Sequence, residues 1–310
     1  MTMPEPAHPR KPPSRFWLFA PYVVLLVGVL VWSLYWLGLR ATAAARLDET
    51  AQRLRGEGWT VDWQARTIGG YPFRLFVSLD QPRLIEPSGW GLSAPHLKAQ
   101  AMAYDLDVWV IVAADGVVLH RPSGGEVAVT GQALRASVAG FARSPPRIAV
   151  EGVGLTFTPQ PGGAPFTVAS AKDLGLYLRP VGQDDAEAYV RLGDATAPSP
   201  RLLGRIGGDR PFDLTADIEA SKAGAFRGDS WPAAARAWAA GGGVLGVVSG
   251  DFAAGPAKIR AVRSQTGLDA QGRLAGDVVL DFGRGPVDLS IADGAARLGS
   301  IVVGPAPKLY

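Results

Sequence analysis

The acidic residues of this chain that could act as a pair lie close together in the sequence. Asp105 and Asp107 alternate within a segment of strand periodicity, which places their carboxylates on one face, roughly 7 Å apart. Some hydrolytic carboxylate pairs use a separation of this order. Such pairs usually face each other across a cleft, whereas two acids two residues apart on a solvated strand are common. We therefore interpret this pair as part of a polar strand face.

A second candidate is a glycine motif. Gly241, Gly243 and Gly246 match the GxGxxG spacing of dinucleotide-binding turns. That motif should follow a strand and open a helix, whereas here a predicted helix over 231–240 precedes the glycines and a predicted strand over 244–248 follows them. The glycines are better explained as the end of a helix and a flexible entry to a strand.

The remaining candidate groups are isolated. His96 and His120 have no evident third metal ligand. Glu151 lies among apolar neighbours, where a lone carboxylate is costly, so we expect a strand-edge position or an Arg partner. No serine has a nucleophile-elbow sequence, no P-loop lysine occurs, and the chain contains no cysteine. The sequence therefore predicts no catalytic, cofactor-binding or metal-binding residue and no enzymatic activity.

One uncharged segment determines where the chain resides. The twenty-four residues from Phe16 to Leu39, as a helix, span ~36 Å against a hydrocarbon core of roughly 30 Å. A cleaved secretory signal is the alternative, because Ala41-Thr42-Ala43 has a suitable small-residue pattern. The apolar run is longer than a usual signal core, and Arg40 precedes the candidate cleavage site, so we favour an uncleaved transmembrane anchor.

The flanking residues predict the orientation of this anchor. Arg10, Lys11 and Arg15 outweigh Glu5 in the first fifteen residues, which predicts a cytoplasmic N-terminus. In a Gram-negative cell the protein would then be a single-pass inner-membrane protein with its main domain in the periplasm. Aromatic residues near both ends are expected to anchor the helix at the membrane interfaces. They are Trp17, Tyr22, Trp32, Tyr35 and Trp36.

Charge and composition limit the class of protein. The net charge of +3 comes from the N-terminal part, because the first forty residues hold four basic residues and one acid, leaving 27 of each sign in the rest. A neutral exported domain lacks the basic surface that nucleic acids require. The 39 glycines and 25 prolines favour many short strands over a helical bundle.

The spacing of apolar residues changes after the anchor. Helical spacing between Ala43 and Leu54 predicts a stalk helix over 40–57. From Thr60 onward a period of two, interrupted by turn residues, predicts antiparallel strands, with one further short helix over 231–240. The predicted organisation is a disordered cytoplasmic tail over 1–15, the anchor over 16–39, the stalk over 40–57 and a β-rich domain over 58–310, with a division near 196–210 left open.

A large, mainly β, curved antiparallel sheet must cover its apolar face. Closure, folding of the sheet on itself, a second sheet or lipid acyl chains could provide the cover. Aromatic and aliphatic residues at alternate strand positions could line a lipid groove, although they would equally suit a sealed core. The candidate groove residues are Phe73, Leu75, Val77, Leu79 and Trp109.

Several short motifs, in a fixed order after an anchor and a short helix, resemble the bacterial family catalogued as domain of unknown function 2125. They are Gly70-Tyr71-Pro72-Phe73-Arg74, Pro87-Ser88-Gly89-Trp90, Ala94-Pro95-His96-Leu97, Asp269 to Gly276, and Leu298 to Pro307. The resemblance extends from about Trp36 to the C-terminus. That family is similar to AsmA-type envelope proteins, whose anchored, curved β-sheet suits lipid tails. The resemblance implies an AsmA-like groove or sandwich and lipid handling, and it carries over no catalytic residue.

These observations predict a membrane-anchored periplasmic protein that binds or helps to transfer lipid at the cell envelope. Its expected partners are inner-membrane lipids and a phospholipid ligand or envelope proteins, with no nucleic acid and no cofactor. The alternative is a non-enzymatic scaffold that binds other envelope proteins, for example by strand addition at an open sheet edge.

Overall fold

A long N-terminal helix leads into a β domain that contains one further α-helix among the described residues. The structure is a computed structural model that describes residues 16–198 and 210–309, except for the side chains of Phe16, Trp17 and Arg263. Helix α1 covers Phe16–Gly56 and helix α2 covers Trp231–Ala240, with a single 3₁₀ turn at Ala223–Ala225. The predicted anchor and stalk therefore form one continuous helix, whose apolar part is long enough to cross a membrane.

Twenty strands form a single antiparallel sheet. They are β1 Thr60–Asp62, β2 Ala65–Gly69, β3 Arg74–Asp80, β4 Arg83–Ile85, β5 Gly91–Ser93, β6 His96–Met102, β7 Asp105–Val112, β8 Val117–His120, β9 Val127–Thr130, β10 Ala133–Ala139, β11 Arg147–Pro159, β12 Ser170–Val181, β13 Asp185–Ala195, β14 Phe212–Ala220, β15 Leu245–Ala254, β16 Ala257–Leu268, β17 Leu274–Asp281, β18 Pro286–Ala292, β19 Ala295–Leu298 and β20 Ile301–Pro305. The predicted mainly β class and large antiparallel sheet are confirmed.

The sheet is an up-and-down meander. Strands β1 to β10 join end to end in consecutive pairs as five bent strands, and each bent strand pairs with the one before and the one after it. Strand β11 continues the order, because β10 pairs with its first half and β9 with its second half. From β11 to β20 each strand pairs with its chain neighbours. Strands β13 and β14 pair directly across the predicted division near 196–210, of which residues 199–209 lie outside the described part.

The bends of the first strands align across the sheet in a line that we call the crease. Backbone hydrogen bonds cross it between neighbours, from Gln81 N to the Pro95 carbonyl at 2.8 Å and from Ala94 N to the Pro82 carbonyl at 3.1 Å. Proline supplies no donor, so these positions interrupt the regular ladder. In β11 the crease passes Gly154, whose φ of +59° is a conformation that side chains other than glycine rarely adopt.

The main core lies beside the crease. Its buried residues are Val127, Val129, Leu155, Phe157, Val168, Ala171, Leu192, Ala195, Phe212, Phe252 and Ala254. The rings of Phe212 and Phe252 stack at 5.3 Å between centroids. A flat single sheet would leave one face open to water, so the burial of these side chains requires that the sheet folds over at the crease.

Helix α2 connects two distant parts of the meander. The backbone N–H of Trp231 donates to Glu86 Oε2 at 2.7 Å, and its indole N–H donates to the Leu309 carbonyl at 2.6 Å. Glu86 lies in the turn between β4 and β5 and is 8% exposed. We call this arrangement the clasp, because it brings the start of the sheet against the last described residues.

We expect Glu86→Ala to destabilise the protein. The substitution leaves the Trp231 N–H and the Ser88 hydroxyl without their carboxylate acceptor, and losing hydrogen bonds to a buried charge costs roughly 1–3 kcal/mol. Urea denaturation of the full chain in detergent, followed by tryptophan fluorescence, measures the loss. Glu57→Ala, at the exposed end of α1, is the control. Equal midpoints for the two variants would contradict a structural role for the clasp.

Candidate functional site

One transverse row of the sheet is apolar across thirteen strands. Directly paired positions carry these residues from β2 to β18, so they lie on the same face. They are Ile68, Val77, Ala99, Ile111, Ala136, Val150, Leu176, Val190, Ala216, Gly250, Ala261, Leu280 and Val287. We call this set the central row and the sheet surface that carries it the apolar face.

The central row is neither sealed nor fully exposed. Ten of its thirteen residues are half-buried and Gly250 is buried, while Leu176 and Val287 are each 38% exposed. A close-packed core would bury such side chains almost completely. The row therefore forms a shallow apolar surface that remains accessible from solvent.

The rows that flank the central row differ in burial. On the crease side, the apolar residues pack into the core; they are Leu134, Leu174, Leu192, Leu214, Phe252 and Ile259. On the other side they are half-buried; they are Trp109, Val138, Ile148, Leu178, Ala188, Ile218 and Val247. The apolar face is thus sealed near the crease and open away from it.

The reverse face of the same strands, which we call the polar face, carries the charged residues that alternate with the central row, because successive residues of a strand point to opposite faces. Arg135 pairs with Glu151, and Arg260 Nε donates to Asp251 Oδ1 at 3.1 Å. A cleft of about 470 Å³ lies on this face and includes Tyr177. This face also carries exposed apolar residues, such as Val108 at 43% and Val262 at 45%. The two faces differ in that the central row contains no charged residue, whereas the reverse face carries ion pairs.

Glu151 has the Arg partner that the sequence predicts. Its carboxylate accepts hydrogen bonds from Arg135 Nε at 2.7 Å and from the Tyr177 hydroxyl at 3.0 Å. The hydrogen bond from Arg135, and then that from Tyr177, lowers the pKa of Glu151 below its ordinary value. The same carboxylate raises the pKa of Tyr177. These three groups stabilise a strand-to-strand contact on the polar face.

The candidate groove residues divide into three groups. Val77, Leu79 and Trp109 lie half-buried on the apolar face. Leu75 shares that face but is only 1% exposed, so it belongs to a sealed part of the structure. Phe73 lies in the turn between β2 and β3, not on the face, and is 64% exposed.

The predicted anchor aromatics also divide. Tyr22 is 68% exposed along α1, as a lipid-facing residue would be. Trp32, Tyr35 and Trp36 instead donate hydrogen bonds to turns of the β domain. The side chain of Trp17 lies outside the described part.

The isolated acids and glycines have structural partners. The Gly140 N–H donates to Asp107 Oδ2 at 3.2 Å, and the Asp107 N–H donates to Asp105 Oδ1 at 3.2 Å. Gly241 caps α2, and a Cβ on Gly243 would approach the Trp238 indole to 2.2 Å. The glycine motif therefore ends a helix and allows close packing.

A Ser–His–Glu arrangement that the sequence did not reveal lies beside β5. Ser93 Oγ and His120 Nε2 are 2.9 Å apart, and His120 Nδ1 and Glu126 Oε1 are also 2.9 Å apart. Acyl transfer would also need backbone donors for an oxyanion. The N–H of Ala94, which follows the serine, donates to the Pro82 carbonyl, and β5 is paired on both sides. We interpret the arrangement as a structural link between strands, in which His120 is buried and the Glu126 side chain is 48% exposed.

Metal ligands are not grouped in the described residues. His96 contacts Asp115 at 2.9 Å and Asp80 at 3.7 Å, with its side chain 63% exposed. Within residues 16–198 and 210–309, no cluster of three or more His, Cys, Asp or Glu side chains could hold an ion. The apolar face is therefore the candidate functional site of the described β domain.

We expect Glu151→Gln to lower the pKa of Tyr177 towards its ordinary value, because the carboxylate that favours the neutral phenol is removed. Near-UV titration of phenolate absorbance measures the shift, and Tyr177→Phe identifies the step. In the native protein the raised pKa of Tyr177 stabilises the fold below the ordinary pKa, and this contribution is lost as the pH rises through the raised value. Glu187→Gln, which removes the partner of Arg179, is the control. Identical titration curves for the native protein and Glu151→Gln would contradict the assignment.

Comparison with known proteins identifies a family for this chain. The family model described as "Uncharacterized protein conserved in bacteria (DUF2125)" matches residues 36–284. No curated protein and no solved structure matches the chain. The match begins at Trp36, within α1, and includes the strands of the central row up to β17. The chain therefore belongs to the DUF2125 family.

Proposed function

We propose that this protein binds lipid, or helps to transfer it, through the apolar face at the cell envelope. The observation that carries the proposal is the central row, an accessible apolar surface that crosses thirteen strands of a chain with a membrane-length helix. At ~4.8 Å per strand its length would be about 58 Å in a flat sheet. A surface of that extent favours a hydrophobic ligand.

The physical basis is the cost of leaving this row in water. Burial of apolar area contributes about 25 cal/mol per Å², or ~0.8 kcal/mol for each CH₂ group. Acyl chains can slide along such a row without directional bonds, since the hydrophobic effect is non-directional. The reverse face carries ion pairs such as that between Arg260 and Asp251, whereas the central row has no charged side chain. This combination suits a protein that holds lipid tails on one side only.

The proposed location follows from the N-terminal charges. The protein would be a single-pass inner-membrane protein with its N-terminus in the cytoplasm and its β domain in the periplasm, as AsmA-type proteins are arranged. Its ligand would be a phospholipid, drawn from the membrane that holds α1. No cofactor and no catalytic step is part of this proposal.

A protein-binding scaffold is the second candidate, and the C-terminal edge of the sheet favours it. Strand β20 is the last described strand of the meander and pairs with β19. Its residues Ile301 and Val302 are 67% and 60% exposed. Exposed apolar side chains at this end of the sheet suit docking of another envelope protein.

We expect Leu176→Asp to remove most of the lipid that co-purifies with the full chain in mild detergent. Leu176 lies in the central row, and a charge there makes contact with acyl chains unfavourable. Val181→Asp is a matched control, because Val181 lies on the same strand, is similarly exposed at 36%, and points to the polar face. Mass spectrometry of extracted lipid, after normalisation to folded protein, gives the comparison.

Equal lipid retention by the Leu176→Asp and Val181→Asp variants would contradict the proposed function. The scaffold would then gain if a photocrosslinker at Ile301 captured one protein in stoichiometric amount. Leu75→Asp would not serve as a test, because Leu75 is sealed and its substitution would unfold the protein.

The orientation has a separate test. A reporter enzyme that is active only outside the cytoplasm, fused after Tyr310, should be active in cells. The same reporter placed before Met1 should be inactive, because the positive N-terminal segment stays in the cytoplasm. The reverse pattern would reject the proposed topology while leaving lipid binding open to measurement.

A further inference from the structure

We propose that two turns of the β domain insert into the interfacial layer of the bilayer beside α1. They are residues 70–73, which join β2 to β3, and residues 103–104, which join β6 to β7; we call them the membrane-facing turns. The proposal rests on the part of the proposed function in which α1 spans the membrane. It adds a second, non-helical contact with lipid.

The membrane-facing turns are fixed to the apolar part of α1. The Trp32 indole donates to the Pro72 carbonyl at 2.8 Å, and the Tyr35 hydroxyl donates to the Ala103 carbonyl at 3.1 Å. The Tyr71 ring packs edge-on against that of Trp36, with centroids 5.5 Å apart. The turns therefore pack against the part of α1 that belongs to the uncharged segment from Phe16 to Leu39.

The position of these contacts along α1 sets their depth. Arg40 is the first charged residue after the apolar run, and Trp36 and Trp32 precede it by about 6 and 12 Å of helix. The Arg74 carbonyl accepts from Trp36, whereas Pro72 meets Trp32. The first turn therefore lies alongside α1, with Arg74 at the level of Trp36 and Pro72 at the deeper level of Trp32. Interfacial segments bury their apolar side by about 5–10 Å.

The outer surface of both turns is apolar. Phe73 is 64% exposed, Tyr71 50%, Met102 41% and Tyr104 68%. The three aromatic side chains on the two turns, together with Met102 at the end of β6, form a patch that water disfavours. Aromatic rings prefer the membrane interface, where their polar atoms reach the headgroups.

The backbone of these turns also has hydrogen-bond partners that suit it to a non-polar environment. A carbonyl without a partner is costly in lipid. Here Pro72, Arg74 and Ala103 each receive a side-chain donor from α1. Trp32 and Tyr35 therefore provide hydrogen bonds to one carbonyl in each turn, and Trp36 provides one to Arg74 at the start of β3. Water would not be needed to solvate these three carbonyls.

The stalk part of helix α1 lies on the same side of the sheet as the apolar face. Arg66 of β2 forms hydrogen bonds with both carboxylate oxygens of Asp48 in α1. Arg66 pairs with Leu79, so it points to the same face as the central row. Insertion of the turns would hold the first strands of that face at the surface of the bilayer.

Site-specific labelling of the full chain in nanodiscs tests the proposal. The chain has no cysteine, so single-cysteine variants take one label. The environment-sensitive dye NBD would be attached in Phe73→Cys and Tyr104→Cys, with Leu25→Cys as the membrane reference. Ile301→Cys, equally exposed at 67% but at the opposite edge of the meander, is the aqueous control. Doxyl-labelled phosphatidylcholine in the nanodisc quenches only dyes that contact acyl chains or headgroups.

We expect blue-shifted NBD emission and quenching at positions 73 and 104, comparable with position 25, and neither effect at 301. If positions 73 and 104 behave like 301 while 25 is quenched, the turns stay in water and this proposal is wrong, although the anchor stands. If 25 is also unquenched, the anchored topology fails with it. Equal urea midpoints for the labelled variants and the native chain show that the fold is retained.

Discussion

Strand register is the constraint on which the two-sided character of the sheet depends. Successive residues of a strand point to opposite faces, so a slip of one position in any strand would move its part of the central row to the polar face. The register is maintained through irregular positions as well. At Asp194, whose φ is +46°, the pairing of β13 with β14 shifts and then resumes with Ala195 opposite Phe212. Local bulges thus adjust the twist without mixing the two faces.

The burial of side chains on the apolar face also changes with distance from the crease. Beside it the sheet folds over and buries Phe212, whereas Leu214 and Ala216, two and four positions further along β14, are half-buried. The stability of the domain can therefore come from one end of the strands, through close packing. The other end remains free to contact a mobile apolar ligand. A fully closed barrel or sandwich would lose that division.

The local parts of this structure were predictable, and the non-local parts were not. The helix over Trp231–Ala240 was predicted from Pro232 and the following glycines, and the structure gives the same bounds. Period-two spacing predicted that Leu75, Val77 and Leu79 share a face, but it could not show that Leu75 is sealed. Burial depends on what the fold brings near, which one strand does not encode.

Side-chain partners far apart in sequence were equally hidden. Trp32 and Trp36 have the composition and position of interfacial anchors, and only the fold shows the turn carbonyls that they bind. The link of Ser93 to His120 joins strands 27 residues apart and leaves no local pattern. Such contacts depend on two residues that lie far apart in the sequence. The spacing of apolar residues describes only one helix or strand at a time.

Because each bent or single strand of the meander pairs with the one before and the one after it in the chain, assembly can proceed in the order of the sequence. Each new hairpin closes a short loop on an existing edge, which is the route with the smallest loss of chain entropy. The contact between Trp231 and Glu86 spans 145 residues and can form only late. The sheet can therefore grow outward from the strands that follow α1, and each new strand covers the backbone edge left by the strand before it.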